Sequence, residues 1–475
     1  MDLFKETLQL IDSEQVQLID FKIVDIKGRW HRLAIPVERF SERILTEGIG
    51  FDGSSYGFLT VEKSDMVFIP DLSTAFIDPF AQIKTLIIIA DIYRLDNGER
   101  IRFEDDPRYI AEKAETACAD IGIDTALFGP EFEFYVLDHI SYKTAQNHIE
   151  LKIDTMQGEW NSGDNSKQNL GVTVGHHGGY HLDSPFDSSY TFRSEVVRLL
   201  EQVGVPVKYH HSENGGPGQV EIEVEFATLK EMGDRTMKLK YVLRNHAARV
   251  GKTITFMPKP FLTECGNGMH IHLNMFNDEQ PMFYDVEGYS GLSQTALYAI
   301  GGVLKHAAAL MPFTNPSTNS YKRLVPGYEA PVSICYGNAN RSAVIRIPGY
   351  ATAPDQKRFE LRSPDATANP YFAYSVMLMA AVDGIKQRID PVKEGFGPYD
   401  CNLYTLDKAE LAKVKGLPTS LLEASEAIVQ DHEFLTSMGI LSNNLIQTQN
   451  NRLMKEHNQI NTLPHPAEFE LYYNL

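Results

Sequence analysis

Four short stretches of this chain alternate charge with bulk at a spacing that an extended backbone uses. Glu131-Phe132-Glu133, Glu221-Ile222-Glu223-Val224-Glu225, His270-Ile271-His272 and Glu360-Leu361-Arg362 each carry ionisable side chains at i and i+2. In a strand those positions share one face, while the apolar residues between them take the other. The pattern predicts a sheet with one side packed in a core and the other lined by carboxylates, imidazoles and a guanidinium. Carboxylates gathered this closely must be neutralised, and divalent cations do this well. Hard oxygen donors with an occasional imidazole suit Mg²⁺ or Mn²⁺ better than Zn²⁺. One alternating strand alone describes a solvated face equally well. Four in one chain, two beside the glycine-containing loops at 213–218 and 265–268, favour a site.

The remaining pattern places those strands in an α+β architecture. Residues 16–35 read as a hairpin about Lys27-Gly28, and 85–93 as a buried strand. Asp106-Pro107 offers an N-cap followed by proline at the first helical position, which opens a helix toward Gly122. A boundary just before it divides a small strand-rich N-terminal domain, 1–105, from a larger domain, 106–475. In the larger part, strands are expected at 126–137, 220–226, 269–276, 343–347 and 358–362, and helices at 189–203, 230–250, 292–310 and 370–388. Strands and helices without a regular βαβ rhythm imply a mainly antiparallel sheet. The 475 residues suffice for both domains.

Charge narrows the partners. Lys and Arg number 44 against 63 Asp and Glu, a formal net charge of −19, so the surface would repel nucleic acid. The four cysteines, Cys118, Cys265, Cys335 and Cys401, form no close pair, which argues against a disulfide scaffold or a cysteine zinc site. The opening MDLFKETLQLIDSEQ has no apolar signal core, and the apolar run 86–90 falls far short of the ~20 residues of a membrane span. The expectation is a cytoplasmic protein with no membrane partner.

Against the acidic background, Arg323, Arg341, Arg346 and Arg362 cluster in one short stretch. Guanidinium groups bind phosphates and carboxylates bidentately, so the cluster fits an anionic substrate; surface ion pairing is the bland alternative. Gly251-Lys252-Thr253 imitates the end of a phosphate-binding loop, but the position five before Gly251 is His246 where a glycine is needed. The paired histidines His176-His177 and His210-His211 read as loop or packing residues rather than ligands.

The motifs FDGSS at 51–55, GPEFE at 129–133, GMHIH at 268–272, NPSTNSYKRLVPGYEAP at 315–331, NRS at 340–342, IRIP at 345–348 and HPAEFELYY at 465–473 resemble bacterial type I glutamine synthetase, in order along nearly the whole chain. The resemblance implies a β-grasp-like N-terminal domain, a catalytic domain whose curved, mainly antiparallel sheet forms a funnel, and a dodecamer of two hexameric rings with active sites shared between subunits. It implies ATP-dependent ligation of ammonia to L-glutamate through a γ-glutamyl phosphate, with two or more Mg²⁺ or Mn²⁺ ions per site. By motif position, one metal site would use Glu133, Glu213 and Glu221, and the other Glu131, His270 and Glu360. Arg341 and Arg346 would hold the transferring phosphate. His272, Asn274, Lys357 and Arg358 would line the ATP site, Arg323 and Arg362 would grip glutamate, and Gly266 belongs to the substrate loop. Asp52, Ser55, Tyr180, Glu213 and Glu329 would form the ammonium pocket. Asp52, from the adjacent subunit, would take the proton, and Glu329 would close the site as a flap.

Three positions depart from the pattern or qualify it. Cys265 replaces the usual asparagine before Gly266, and Lys208 stands where an acidic residue is usual near ATP. Either change could redirect the enzyme toward organic amines, whereas the intact Asp52 motif and Glu329 favour free ammonium. Tyr404 matches a tyrosine that some members adenylylate, although the proline usually nearby is absent.

Overall fold

The hairpin expected near the N-terminus forms from Leu18–Val24 and Trp30–Pro36, paired antiparallel with Phe21 opposite Leu33. The Asp25 carboxylate accepts hydrogen bonds from the backbone N–H groups of Lys27 and Arg29, both at 2.9 Å, which closes the turn. Gly28 there has φ +73°, and a Cβ on it would lie 2.8 Å from the Asn369 Cα, so the turn needs glycine both for its backbone and for its close approach. The computed structural model describes residues 2–166, 168–325 and 330–473.

The buried strand expected at 85–93 spans Thr85–Asp96. It lies inside a seven-stranded sheet, parallel to Leu18–Val24 and antiparallel to Asp65–Pro70. Ile19, Phe21, Phe68, Leu86, Ile88 and Ile92 form this sheet's own apolar core.

The second sheet carries the charged strands. Its main path uses β1 (Thr125–Leu137), β2 (Val207–Ser212), β3 (Gln219–Val224), β4 (Met269–Asn277), β5 (Ser333–Asn338), β6 (Ala343–Ile347) and β7 (Phe359–Leu361). The spatial order is β2-β3-β1-β4-β7-β6-β5, with three short strands at its margins. Neighbours on the path are antiparallel except β5 and β6, which run parallel. The mainly antiparallel sheet is therefore present, with a parallel pair at one edge.

Helices close the apolar face. They include α1 (Pro107–Ala119), α2 (Tyr190–Gln202), α3 (Leu229–Arg249), α4 (Gln294–Lys305), α5 (Ala307–Thr314) and α6 (Pro370–Gln387). Asp106 caps α1 by accepting from the Arg108 N–H, and Pro107 occupies the first turn. The long α6 is buried along almost its whole length and packs on α1, α3 and α4.

The single helix expected over 292–310 is two helices, bent by 72° at His306. The break has a specific anchor. The His306 Nδ1 lies 2.8 Å from Asp431 and its Nε2 3.1 Å from Asp383, while the ring stacks on Phe434 at 4.0 Å. No single helix among the described residues is long and apolar enough to cross a membrane. The phosphate-loop imitation at 251–253 is also explained, because Gly251, at φ +71°, turns the chain from α3 into the short strand Thr253–Thr255.

One buried arginine joins the N-terminal sheet to the helices. Arg108, 1% exposed, donates from Nε and Nη2 to both oxygens of Asp234 at 3.0 and 2.9 Å, from Nη2 to Asp71 at 2.9 Å, and from Nη1 to Asp91. Asp71 and Asp91 belong to the N-terminal sheet region, and Asp234 lies on α3. Without Arg108, Asp71 and Asp91 keep Lys230 and Arg102 and Asp234 keeps the Tyr371 hydroxyl, but Asp234 loses its cationic partner, and breaking a buried ion pair costs about 3–5 kcal/mol. Arg108→Met is therefore expected to lower unfolding stability by about that amount in denaturant titration; a change within about 0.5 kcal/mol would show the network to be dispensable.

His306 generates a second expectation. Burial lowers its pKa, but the hydrogen bonds to Asp383 and Asp431 outweigh burial and raise it above the ordinary value. A histidine whose folded pKa is raised contributes stability that is complete below its unfolded value and is lost as pH climbs through the folded one. The stability difference between the native chain and His306→Ala should therefore shrink over the range in which pH climbs above the ordinary histidine value of about 6.5. A difference that stays constant across that range, measured by thermal melts, would refute this linkage.

Candidate active site

Alternation along each strand explains why the charged side chains meet. Phe132 and Phe134 on β1, Ile222 on β3, Ile271 on β4 and Leu361 on β7 are buried in the core. Their neighbours in sequence must face the other way. Register then aligns those neighbours across the sheet. Glu223 pairs with Glu131 and Glu131 with His270, Glu221 pairs with Glu133, and His272 pairs with Glu360, which pairs with Arg346.

The side chains converge into two groups. In the first, the His270 Nδ1 lies 2.9 Å from Glu131 and 3.6 Å from Glu360, and these three present ligand-type atoms within 4.8 Å of one another. The same closeness holds for His211, Glu213 and Glu221 in the second group. Glu133 sits between them. Its Oε1 is 3.9 Å from the His270 Nε2, and its Oε2 accepts the Gly268 N–H at 2.5 Å. A Cβ on Gly268 would lie 2.5 Å from the Arg323 Nη2 and 2.8 Å from the His270 Nε2, so only glycine leaves this junction open.

The two groups differ electrostatically. Burial would raise the Glu131 pKa, but hydrogen bonds with His270 and His272 overcome it and hold the carboxyl well below its usual range. Glu360 is likewise pushed up by burial, yet Arg362, His272 and Arg346 bring it to about 2. Glu213 and Glu221 lack such compensation. Burial, then the charges of Glu133 and Glu221, raise Glu213 to about 8; burial, then Glu131 and Glu133, raise Glu221 well above normal. Buried oxygen donors that repel one another, with one imidazole at the margin, fit hard divalent cations.

A cavity of about 490 Å³ opens over this face. It is lined by Glu131, Glu133, Glu213, Glu221 and His270, by Arg323, Arg341, Arg346 and Arg362, and by Tyr180, Cys265 and Gly266. Arg346 and Arg362 each donate Nη1 to Glu360, at 2.5 and 2.7 Å, while the buried Nε of each has no hydrogen-bond partner among the described residues. Arg323 is held by the carbonyls of Arg362, Ser363 and Pro364 and approaches the His270 Nε2 at 3.3 Å. Cationic donors and carboxylate clusters therefore share one space.

Other expected site residues lie outside that lining. His272 is fully buried, bonded to Glu131 at 2.9 Å and approached by the Arg358 Nε at 3.3 Å. Arg358 also lies over the Phe226 and Tyr350 rings. The Asn274 side-chain amide donates to the Asp355 carbonyl, and the Lys357 Nζ to the Ser290 carbonyl. Asp52 and Ser55 lie in the N-terminal sheet region, away from the cavity lining. Asp52 accepts from the Ser54 N–H and from both serine hydroxyls, and these bonds, Ser54 first, lower its pKa to about 2. Tyr404 is 39% exposed and donates its hydroxyl to the Ala330 carbonyl at 2.8 Å. Glu329 falls outside the described residues.

Two residues have more of a place here than the sequence reading gave them. His211, expected as a loop or packing residue rather than a ligand, has its Nε2 3.4 Å from Glu221 and its Nδ1 3.9 Å from Glu213. Its i, i+2 spacing to Glu213 was the available signal. Glu223 accepts from the Lys208 Nζ at 2.7 Å, so the departure at Lys208 is matched by a buried carboxylate of the same chain. The other departure, Cys265, is buried, with its carbonyl accepting from the Tyr135 hydroxyl at 2.7 Å and its sulfur accepting from the Asn214 amide at 3.5 Å.

Comparison with known proteins agrees with this geometry. Residues 104–472 match the family described as glutamine synthetase, catalytic domain, and residues 15–95 match glutamine synthetase, beta-Grasp domain. The chain is 43% identical over 473 residues to the glutamine synthetase of Aquifex aeolicus and 44% identical over 477 residues to that of Nostoc sp., with 99% of each chain covered in both cases. Its fold resembles the cryo-EM structure of Plasmodium falciparum glutamine synthetase, with TM-score 0.86, 26% identity and 98% of each chain covered. Carboxylate-lined sheet, β-grasp domain and full-length similarity converge, and the chain belongs to the glutamine synthetase family, in its bacterial type I branch.

Proposed function

We propose that the cavity performs ATP-dependent ligation of ammonia to L-glutamate, giving glutamine, ADP and phosphate, through the residues assigned below. The observation that carries this assignment is the meeting, in one cavity, of two carboxylate–imidazole groups with Arg346 and Arg362, whose Nε donors have no partner among the described residues. Glutamate and ATP are both anions, so a site that joins them must screen charge as well as align the reactants.

Glu133, Glu213 and Glu221 would hold one divalent ion, with His211 at its edge, and Glu131, His270 and Glu360 the other; Mg²⁺ and Mn²⁺ suit these donors. Such ions, when bound, neutralise phosphate charge during transfer. Arg323 and Arg362 grip the carboxylates of glutamate beside Gly266. Arg341 and Arg346 hold the transferring phosphoryl group. His272, Asn274, Lys357 and Arg358 position the nucleotide. A carboxylate oxygen is a poor leaving group, and transfer of the γ-phosphoryl group to the glutamate side chain makes it a good one. Ammonium then loses a proton to Asp52, and ammonia displaces phosphate from the γ-glutamyl phosphate.

Asp52 is ionised at neutral pH, as a base must be, but it lies outside the cavity lining of its own chain. This supports a ring in which Asp52 and Ser55 serve the neighbouring subunit's site beside Tyr180 and Glu329, in a dodecamer of two hexamers. The division at residue 105, a cytoplasmic location and modification of Tyr404 belong to the same reading.

Phosphate release from ATP and glutamate, measured with and without ammonium, tests the reaction. Release that depends on methylamine rather than ammonium would favour an amine ligase instead. Glu133→Ala is expected to lower kcat by more than about a hundredfold and to raise the Mg²⁺ requirement, since even an outer-shell change at a metal site costs about 10–100-fold. Unchanged activity at limiting Mg²⁺ would sink the metal assignment. Co-assembly of Asp52→Ala with Arg341→Ala subunits at equal ratio is expected to restore about a quarter of wild-type activity, because that share of interfaces joins two intact half-sites. Verified mixed rings with no recovery would count against shared sites.

A further inference from the structure

The paired histidines at 176–177 are not simple loop residues. The His176 Nδ1 lies 2.9 Å from the Glu264 Oε1, and the His176 and His177 rings stack at 3.8 Å. Ligand-type atoms of His176, His177 and Glu264 fall within 4.8 Å of one another. Glu264 is 7% exposed, and its Oε2 accepts from the backbone N–H groups of Gly216 and His177, which fix the carboxylate in place. The His176 side chain is 45% exposed, which leaves one side of the group open to solvent.

We propose that His176, His177 and Glu264 form a site for a borderline transition ion, Zn²⁺ in particular, separate from the two sites on the sheet. Two imidazoles and one carboxylate with an open fourth position are a zinc donor set, whereas the sheet groups are dominated by carboxylate oxygen. Bonds of about 2.0–2.1 Å need the three atoms to draw closer, and the half-exposed His176 ring has room to turn inward. The ion would tie together two segments that both line the substrate cavity: the one that leads to Tyr180, and the one that runs from Glu264 into Cys265 and Gly266. Holding them together would restrain the substrate loop, so the site is inhibitory. This consequence rests on the reaction proposed above; metal binding itself does not.

The test uses the full-length protein, freed of metal and titrated with Co²⁺ under excess Mg²⁺. The expected result is the visible absorption of tetrahedral Co²⁺, displaced by Zn²⁺, at one ion per chain. His176→Ala and His177→Ala should each weaken Co²⁺ binding at least tenfold, and His270→Ala should leave it intact. Absence of the tetrahedral band, or its loss in His270→Ala with retention in the double variant His176→Ala/His177→Ala, overturns the site. In parallel, Zn²⁺ should inhibit ammonium-dependent phosphate release by the native enzyme, and His176→Ala should keep full activity without Zn²⁺ and resist inhibition at least tenfold. Co²⁺ binding with equal Zn²⁺ inhibition in both proteins would overturn the inhibitory role while leaving the binding site standing. Loss of ammonium-dependent turnover in the native enzyme would refute the reaction instead, without touching the Co²⁺ result.

Discussion

Like charges held on one face of a sheet repel, and everything around this cavity responds to that repulsion. Strand periodicity forces the carboxylates together, since turning Glu131 or Glu221 away would bring it into the core beside Phe132 and Ile222. The chain relieves part of the stress internally. Glu131 and Glu360 face His270, His272, Arg346 and Arg362, and both stay ionised. Among the described residues, His211 is the basic side chain within ion-pair distance of Glu213 and Glu221, and burial with carboxylate repulsion raises their affinity for protons. The asymmetry has a functional meaning. On the proposed assignment, the group already balanced by cationic side chains would need a metal ion mainly when phosphate enters, whereas the unbalanced group would need one to be fully ionised at all.

How much of this was legible in the sequence depended on whether the determining forces were local. The i, i+2 alternation located β1, β3, β4 and β7 to within a few residues, because side-chain period and burial act within each strand. Capping did the same for α1, where Asp106 and Pro107 mark the start. The 72° break at His306 was not readable, since Asp383 and Asp431, which hold the ring, are far away in sequence and the apolar pattern runs through the break. The parallel pairing of β5 with β6 was equally hidden, because alternation carries no direction. The two adjacent histidines part company in the structure: His211 turns toward Glu213 and Glu221, whereas His210 turns toward Arg193 at 3.1 Å, a split that the doublet itself does not announce. Asp52 and Ser55 came from motif resemblance alone; neither lies in the cavity of its own chain.

The departures from the family pattern are accommodated by local partners. Lys208 brings a positive charge to a region of excess negative charge, and Glu223 receives it from the adjacent strand, so the change is an internal exchange of charge rather than an unpaired ammonium. Cys265 keeps the backbone role of its position, because the Tyr135 hydroxyl bonds its carbonyl, which any residue offers. What changes is the polar reach of the side chain, from an amide with two donors and an acceptor to a thiol that is a weak partner.

Buried arginines show how a structural role differs from a binding one. Arg108 and Arg193 each direct Nε, Nη1 and Nη2 to carboxylates and other acceptors within the protein, so their charge is spent on internal partners. Arg102 leaves donors unpaired, but Asp91, Asp106 and Glu112 surround it and balance its charge. Arg323 is different in kind. Three backbone carbonyls and one imidazole hold it in place, and burial lowers its pKa although Glu133 and Asp365 oppose the shift, so its geometry is fixed while its charge is only partly balanced. A guanidinium ordered by neutral acceptors at a cavity wall bears the desolvation cost before any substrate arrives, and an anionic carboxylate then recovers it. Arg346 and Arg362 combine both features, since Glu360 orders them through one nitrogen and leaves Nε open. On the proposed assignment, the same buried glutamate positions two arginines and helps to hold a cation, which would couple occupancy of that metal site to the orientation of the groups that meet the substrates.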